Sequence, residues 1–205
     1  MITRIDDDTI HADNVLSLFD GISCGQIALG RAGITCGKYM ASEIDSNATR
    51  VTNKHFPSTV QVGDVRAIDT SKLPPVDILM GGSPCQSFSM SGKMEGFDGK
   101  SGLFFEFLRV KNETNPTFWL LENVKMKGEW RDIISGYLGV EPILINSNRL
   151  SGQNRPRYYW TNIPCIPQPV DAGVYMKDIV LDDSDGVTLT GRPGQRKPVP
   201  SAGNR

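Results

Sequence analysis

The chain alternates short apolar runs with amphipathic stretches, and this alternation strongly limits the folds that it can adopt. Strands are predicted at residues 15–19, 38–43, 59–62, 76–80, 117–121, 143–146 and 157–161. Helices are predicted between them, at residues 25–33, 46–55, 103–110 and 130–138. Strands and helices in this order favour right-handed βαβ units. We therefore predict an α/β fold with a mainly parallel sheet and helices on both faces.

Reactive or polar residues follow several of the predicted strands. A ligand of an open parallel sheet binds beyond the carboxyl ends of the strands, so the residues directly after each strand are the first candidates for a site. In chain order they are Asp20-Gly21, Glu43, Gly63-Asp64, Pro84-Cys85 and Glu122-Asn123. Acids after successive strands, with a thiol among them, predict a small-molecule site in which that thiol takes part.

Composition excludes several classes of protein. The 22 basic and 23 acidic residues leave a net charge of -1, so any contact with nucleic acid needs a local basic patch. No run approaches the ~18 apolar residues that span a bilayer, and the N-terminus lacks the apolar core of a signal peptide, so we expect a cytosolic protein. The four cysteines are far apart and there are two histidines, which argues against a structural metal or a disulfide scaffold.

Cys85 is the strongest candidate for a reactive group. It follows a predicted strand through a Gly-Gly-Ser-Pro turn, an exposed and constrained position that suits a nucleophile. The other cysteines, Cys24, Cys36 and Cys165, are predicted to be small buried hydrophobes. The loop 86–102 is rich in glycine and carries two lysines, which favours a hinged lid over a substrate, with a disordered surface loop as the alternative.

Glu122 and two arginines are further candidates. Glu122 ends an apolar strand, where desolvation would raise its pKa toward the range of a general acid; a salt-bridged glutamate is the alternative. Arg155 and Arg157 stand at alternate positions entering a strand, so both side chains are expected on one face. Their guanidinium groups would suit a phosphate or a pyrimidine carbonyl, with a solvated surface pair as the alternative.

Six short motifs occur in a fixed order at the predicted strand ends. They are Phe19-Asp20-Gly21, Glu43, Gly63-Asp64-Val65, Pro84-Cys85-Gln86, Glu122-Asn123-Val124 and Gln153-x-Arg155-x-Arg157. In this order the set resembles the DNA (cytosine-5) methyltransferase family over residues 14–165. The segments 18–22 and 102–107 resemble its animal de novo branch and the phage and bacterial relatives of that branch. As in that branch, the second Gly of the broader family pattern is replaced, here by Ser23.

The resemblance implies a Rossmann-like methyltransferase sheet that binds S-adenosyl-L-methionine. The turn after the first strand would hold the methionine part of the cofactor at the start of a helix. Glu43 would accept hydrogen bonds from the ribose hydroxyls and Asp64 from the adenine amino group, between apolar walls formed by Ile44 and Val65. The implied cofactor contacts are Phe19, Asp20, Gly21, Ile22, Ser23, Glu43, Ile44, Asp64, Val65 and Pro84.

The resemblance also implies a substrate and a reaction. A cytosine of double-stranded DNA would flip out of the helix, the Cys85 thiolate would add to its C6, and C5 would then take the methyl group. Glu122 would protonate N3, while Arg155 and Arg157 would orient the cytosine carbonyl and the neighbouring backbone. Further substrate contacts are implied for Gln86, Ser87, Asn123 and Gln153. Neither a metal nor a redox cofactor is needed.

Family members usually continue past the paired arginines with a target-recognition region and two further motifs, which are not found after residue 169. We therefore expect a catalytic domain at 1–169, followed at 170–205 by the truncated start of the target-recognition region and a flexible Gly/Pro-rich basic tail. The first interpretation is an active enzyme, alone or with a second chain that supplies the missing motifs. The second is a non-catalytic remnant that binds cofactor or DNA, and the third is a tRNA cytosine-5 methyltransferase.

Overall fold

The computed structural model describes residues 1–84 and 102–179. The strands are β1 Ile2–Arg4, β2 Ile10–Leu18, β3 Ile34–Ser42, β4 Val60–Gln61, β5 Ile78–Gly81, β6 Phe118–Val124, β7 Ile143–Asn146 and β8 Pro156–Thr161. The helices are α1 Cys24–Arg31, α2 Ser46–His55, α3 Gly102–Thr114, α4 Gly128–Leu138 and α5 Met176–Ile179. Within these two ranges, no helix has the length and apolar composition needed to cross a bilayer.

The sheet is mainly parallel, as predicted. Its eight strands include the ordered path β4-β3-β2-β5-β6-β8-β7, in which the first five strands run parallel to one another. β8 is antiparallel to both β6 and β7, and β1 is antiparallel to the start of β2. The chain moves outward from β2 to β4 and then returns to β5 on the other side of β2. A ligand crevice opens at such a reversal, beyond the carboxyl ends of the strands.

Helices cover both faces of the sheet because the central strands are apolar on both faces. Leu16 and Leu18 of β2 belong to one core, which includes Phe107 of α3. Val15 belongs to a second core, which includes Leu29 of α1. Successive side chains of a strand point to opposite faces, so a strand that is apolar at consecutive positions must be covered twice. The predicted α/β class with helices on both faces is confirmed.

The predicted helix at 46–55 and the predicted strand at 143–146 are confirmed to the residue, while other elements differ. β1 and α5 were not indicated by the sequence, since elements of three and four residues carry too little periodicity. The sequence predicted that the strand ends at residue 121, with Glu122 and Asn123 after it. Instead β6 continues through Val124, so both residues lie within the strand. The extension follows from pairing with β8, where Val124 lies opposite Arg157.

Candidate functional site

The turn between β2 and α1 has a strained backbone. Phe19, Gly21 and Ser23 have positive φ values of 56°, 60° and 61°. Glycine adopts this left-handed conformation readily, but Phe19 and Ser23 do so at a cost of about 1–2 kcal/mol each. Such strain persists only where the surroundings impose it, and it concentrates at ligand sites. α1 starts directly after the turn at Cys24, and the first backbone N–H groups of a helix have no partners within that helix.

Asp20 holds this turn from the inside. Its Oδ1 accepts a hydrogen bond of 2.8 Å from the hydroxyl of Tyr39, and its Oδ2 accepts one from the hydroxyl of Ser23. Ser23 Oγ also lies 3.1 Å from Oγ1 of Thr52 in α2. Ser23, Tyr39 and Thr52 are all buried, so this network lies beneath the turn. Burial, together with the charge of Asp20, raises the pKa of Tyr39, so its hydroxyl stays a hydrogen-bond donor.

The carboxylate of Glu43, which follows β3, is held by three backbone N–H groups. Its Oε2 accepts a hydrogen bond of 2.8 Å from Gly21, and its Oε1 accepts bonds of 2.8 Å from Ile44 and from Asp45. These bonds tie the end of β3 to the strained turn after β2. A carboxylate offers about four lone-pair sites, so the three bonds leave room for a hydroxyl donated by a ligand.

Asp64 lies after β4 and caps a short 3₁₀ helix, Val65–Ala67. Its Oδ1 accepts a hydrogen bond of 3.0 Å from the backbone N–H of Arg66, the usual role of Asp at such a position. The preceding turn is fixed to β3, because the hydroxyl of Ser42 donates a bond of 2.7 Å to the carbonyl of Gly63. The ends of β3 and β4 therefore form one connected rim.

Arg109 of α3 fastens the helix to this rim. Its Nη2 donates a hydrogen bond of 2.9 Å to the carbonyl of Val65, and its Nη1 donates one of 3.3 Å to the carbonyl of Ile68. Ion pairs with Glu106 and Glu113 of the same helix, at 2.8 and 2.9 Å, hold the guanidinium in place. The position of Val65 therefore depends on a side chain from a distant part of the sequence.

These turns surround a cavity of about 110 Å³ beyond the carboxyl ends of the strands. It is lined by six of the residues that the family resemblance implies for the cofactor: Phe19, Glu43, Ile44, Asp64, Val65 and Pro84. Ile44 is 71% exposed and gives the cavity an apolar wall that a flat ring could cover. Acidic acceptors beside apolar walls fit a nucleoside, whose hydroxyl and amino groups donate hydrogen bonds. The cavity therefore fits the adenosine part of S-adenosylmethionine.

The remaining implied cofactor residues, Asp20, Gly21, Ile22 and Ser23, form the turn beside the cavity and are not among its lining residues. Three lining residues were not indicated by the sequence, namely Ser42, Arg66 and Leu103. Ser42 and Arg66 are adjacent to motif residues and could have been inferred from that position. Leu103 is contributed by α3, and no local signal connects it with β3 or β4.

The turn after β5 packs against β6. A Cβ built on Gly82 would lie 3.1 Å from Oε2 of Glu122, so a side chain at this position would crowd the carboxylate. The amide nitrogen of buried Asn123 donates to the carbonyl oxygen and to the hydroxyl of Ser83, at 3.2 and 3.1 Å. Both β6 residues therefore contact the turn that leads into Cys85.

Cys85, Gln86 and Ser87 lie outside the described residues, as does the loop predicted to act as a lid except for its last residue, Gly102, which begins α3. Their predicted roles stay predictions.

Glu122 is paired with Arg157 across β6 and β8. Nε of Arg157 lies 2.8 Å from Oε1 of Glu122, and the two side chains are 17% and 32% exposed. The N–H of Nε is not aimed at the oxygen, so the contact is an ion pair without a directed hydrogen bond. Tyr159 lies opposite Glu122, and burial together with the charge of Glu122 raises the pKa of Tyr159. Glu122 therefore forms a salt bridge, which was the alternative interpretation of this residue. In that position its carboxylate lies beside the turn at Gly82.

Arg155 and Gln153 precede β8 in an exposed turn. The backbone N–H of Arg155 donates a hydrogen bond of 2.9 Å to Oδ1 of Asn146, and the carbonyl of Gln153 accepts one of 2.8 Å from the hydroxyl of Ser147. Arg157, which lies inside β8, is the arginine that contacts Glu122. The two arginines are only two residues apart in the sequence, but Arg155 is exposed, whereas Arg157 is partly buried against Glu122.

The prediction that the other cysteines are buried is wrong for two of them. Cys24 and Cys165 are exposed, and Cys36 is partly buried. Cys24 lies on the solvent side of α1, since Leu29 is the residue of that helix that reaches the core. Burial raises the pKa of the Cys36 thiol. In the part of the chain that the structure describes, no group of three or more His, Cys, Asp or Glu side chains is placed to hold a metal ion.

The chain matches the family model of the C-5 cytosine-specific DNA methylases over residues 14–128. It is 37% identical over 160 residues to the orphan methyltransferase M.SPRI of Bacillus phage SPR, which covers 71% of this chain and 36% of that protein. It is 28% identical over 202 residues to the type II methyltransferase M.HhaI of Haemophilus parahaemolyticus, which covers 89% of this chain and 61% of that protein. The chain thus spans less than two thirds of the length of either relative.

Two solved structures share the fold. One is described as a DNA modification methyltransferase encoded within an E. coli prophage; it has a TM-score of 0.60 and 27% identity, over 73% of this chain and 46% of that one. The other is a mutant of DNMT2 from Spodoptera frugiperda, with a TM-score of 0.55 and 22% identity, over 80% of this chain and 54% of that one. The second likeness supports the fold alone.

Proposed function

Because the chain belongs to the C-5 cytosine-specific DNA methylase family, as its motifs predict, we propose that it transfers a methyl group from S-adenosylmethionine to C5 of cytosine in double-stranded DNA. One observation carries this proposal. The cavity with its acidic acceptors and apolar walls and the Glu122–Arg157 pair lie along the same edge of one sheet, and Glu122 lies beside the turn that leads into Cys85. The chain spans only part of the length of its relatives. The proposal that it is active therefore rests on the residues of the site and not on similarity alone.

The cavity would hold the adenosine part of the cofactor. Glu43 would accept hydrogen bonds from the ribose hydroxyls, Asp64 would accept one from the adenine amino group, and Ile44 and Val65 would flank the base. The methionine part would extend to the turn that precedes α1, where backbone N–H groups at the helix start favour a carboxylate. When bound, S-adenosylmethionine supplies a methyl group attached to a positively charged sulfur.

Cys85 would act as the nucleophile on a cytosine that has left the DNA stack. Its thiolate would form a bond to C6, and the electron pair of the C5–C6 double bond would bond C5 to the methyl group, whose former bonding pair would stay with the cofactor sulfur. Glu122 in its protonated form would give its proton to N3, where charge develops on the ring. A water molecule would then remove the C5 proton, the Cys85 thiolate would leave as the C5–C6 double bond re-forms, and the N3 proton would return to Glu122.

The neighbouring residues would position these groups. Arg157 would hold Glu122 against the turn and, with Arg155, bind the cytosine carbonyl and the nearby DNA backbone. Asn123 donates to Ser83, so it would act on the substrate through the turn that carries Pro84 and Cys85. Gln86, Ser87 and Gln153 stay predicted substrate contacts.

The test is a methyl-transfer assay with labelled S-adenosylmethionine, followed by mass spectrometry of the product nucleosides. The wild-type chain is expected to label C5 of cytosine in duplex DNA, and Cys85→Ala is expected to label nothing. Cys165→Ala removes an exposed cysteine that lies after β8 and is the matched control, with activity unchanged. Label found in tRNA and absent from DNA, or on another base, would contradict the proposal.

The division into a catalytic domain at 1–169 and a target-recognition segment at 170–205 is part of the proposal, and completion of the enzyme by a second chain stays a prediction. The expected compartment is the cytoplasm of a bacterial or phage-infected cell, since the relatives come from bacteria and their phages.

A further inference from the structure

The turn between β7 and β8 carries positive charge and no acid. Residues 146–157 include three arginines and neither aspartate nor glutamate, in a chain whose net charge is -1. Arg157 pairs with Glu122, but Arg149 and Arg155 are exposed. In the part of the chain that the structure describes, neither of these two forms a salt bridge. Their positive charges are therefore available to an anion from outside the chain.

Asn146, the last residue of β7, braces the backbone of this turn. Its Oδ1 accepts hydrogen bonds from the backbone N–H groups of Asn148 and Arg155, at 3.2 and 2.9 Å. Its Nδ2 donates one of 2.8 Å to Oδ1 of Asn154. A turn that is held by its own side chains presents its arginines without further ordering of the backbone, which lowers the entropic cost of binding a ligand.

Arg149 also joins the turn to the segment that follows β8. Its Nη1 donates a hydrogen bond of 3.2 Å to the carbonyl of Pro169, and its own carbonyl accepts one of 2.7 Å from the N–H of Ala172. Packing is close here, since a Cβ built on Gly152 would lie 2.6 Å from the backbone nitrogen of Met176. A guanidinium has five N–H donors, so one bond to a neutral carbonyl leaves the others, and the whole positive charge, for a ligand.

Two lysines extend the positive charge to the end of β6. Lys125 and Lys127 follow Val124, which lies opposite Arg157 near the start of β8. Both lysines are exposed, and among the described residues neither has a salt-bridge partner. The lysines and the exposed arginines of the turn lie at the edge of the sheet where β6 and β7 end and β8 begins. This surface, the basic edge, consists of Lys125, Lys127, Arg149 and Arg155.

The phosphate backbone of duplex DNA is the anion that suits this surface. Double-stranded DNA carries one negative charge per about 1.7 Å of its axis, so cations spread along an edge can each meet a phosphate. The basic edge also adjoins the Glu122–Arg157 pair, which would receive the cytosine. DNA that brings a cytosine to this pair therefore passes the basic edge, and the chain as a whole has no net positive charge to attract it elsewhere.

We propose that the basic edge binds the phosphate backbone of duplex DNA beside the target cytosine, and that Arg149 supplies a phosphate contact that does not depend on the base sequence. The proposal rests on the proposed function, because it assigns how the partner of that function is held next to the site. Each cation that meets a phosphate releases a counterion from the DNA. Such contacts add affinity and fix orientation but carry no sequence information.

The experiment measures the Kd of the full chain for two duplexes of unrelated sequence, by fluorescence anisotropy over a series of salt concentrations. One phosphate contact contributes about 0.9 to the slope of log Kd against log salt concentration. Arg149→Gln is expected to lower this slope by about 1 and to weaken binding of both duplexes equally, about tenfold at ~0.1 M salt. Arg149→Lys keeps the charge but loses the bond to Pro169, and is expected to keep the wild-type slope.

Two variants are matched controls, and a third tests the rest of the surface. Arg50→Gln removes an exposed arginine of α2 that, like Arg149, bonds one neutral oxygen, here Oδ1 of Asn47 at 3.1 Å. α2 follows β3, far from β8 in the strand order. Leu150→Ala changes the same turn at a side chain that is 56% exposed and uncharged. Both are expected to keep the wild-type slope. Lys125→Gln in the Arg149→Gln background is expected to lower the slope by about a further 1.

Three results would overturn the inference. The first is a wild-type slope in Arg149→Gln. The second is an equal loss of slope in Arg149→Lys, which would mean that Arg149 acts by joining the turn to the following segment and not through its charge. The third is a loss confined to one of the two duplexes, which would mean a contact with a base. A wild-type chain that binds neither duplex contradicts the proposed function itself, and so is distinguished from these three.

Discussion

Two regions along the same sheet edge hold their carboxylates in different ways. On the β2–β4 side, Glu43 and Asp64 accept hydrogen bonds from backbone N–H groups of the adjoining turns. On the β6–β8 side, Glu122 is held by the guanidinium of Arg157, which belongs to a different strand. Backbone amides cannot move without moving the fold, whereas two side chains can separate when a substrate enters. The first region is therefore suited to binding, and the second to chemistry.

The largest expected effect is on the rate of methyl transfer, from a change in the β6–β8 region. Glu122→Gln keeps the size of the side chain but cannot donate a carboxyl proton, so methyl transfer should fall by about 10²–10⁴-fold. The Kd for S-adenosylhomocysteine, measured by calorimetry, should not change, because Glu122 does not line the cofactor cavity. Glu141→Gln, at an exposed glutamate, is the control. An equal fall in cofactor affinity would remove the distinction between the two regions.

The complementary change is Glu43→Ala. It leaves three backbone N–H groups without their acceptor and removes the proposed ribose contact, so cofactor affinity should fall roughly tenfold or more. The free energy of unfolding, from urea titration, should fall by about 1–3 kcal/mol. Glu43→Gln, which keeps one acceptor oxygen, should lie between this variant and the wild type. Unchanged affinity in Glu43→Ala would show that the ribose is held elsewhere.

Arg109→Met tests the support of the cavity from α3. The variant loses hydrogen bonds to the carbonyls of Val65 and Ile68. Its free energy of unfolding should therefore be about 1–2 kcal/mol lower than that of the wild type. Cofactor affinity should fall a few-fold, since Val65 is a wall of the cavity. Arg131→Met removes an exposed ion pair with Asp132 and should lower the free energy of unfolding less than Arg109→Met does. Equal losses in both variants would mean that Arg109 is an ordinary surface arginine.

The smallest effect concerns alkaline pH. Burial raises the pKa of Tyr39 above its ordinary value of 10.0, so the unfolded chain ionises this group before the folded chain does. Its contribution to stability is therefore complete below pH 10 and is lost as the pH rises above it. The Tm of Tyr39→Phe should fall less steeply than that of the wild type as the pH rises above 10.0. Tyr137→Phe, at an exposed tyrosine, should follow the wild type; parallel curves for all three would contradict the assignment.

The sequence indicated the lining of the cavity more completely than the contacts of Glu122, and the reason is physical. Glu43 and Asp64 follow strands and bind backbone N–H groups of their own turns and, for Glu43, of the turn after the neighbouring strand β2, so local pattern and strand order were enough to bring them together. The ion pair of Glu122 with Arg157 depends on the antiparallel register of β8, which periodicity does not specify. The extension of β6 past Glu122 also depends on its pairing with β8.

Contacts from distant elements were not indicated at all. Leu103 and Arg109 reach the cofactor cavity or its rim from α3, and Tyr39 reaches Asp20 from β3. Each depends on how elements pack and not on the spacing of residue types. The exposure of Cys24 is a similar case, because α1 turns one face to solvent and an eight-residue helix gives little signal about which face that is.

The most direct test of the central claim is covalent trapping on duplex DNA that carries 5-fluorocytosine at the methylated position. Fluorine at C5 cannot leave as a proton does, so the elimination step is blocked and the bond from Cys85 to C6 should persist. The wild-type chain with S-adenosylmethionine is expected to give a denaturation-resistant protein–DNA complex whose peptide map places the adduct on Cys85. Absence of that complex in a chain that methylates ordinary DNA, or its persistence in Cys85→Ala, would contradict the account.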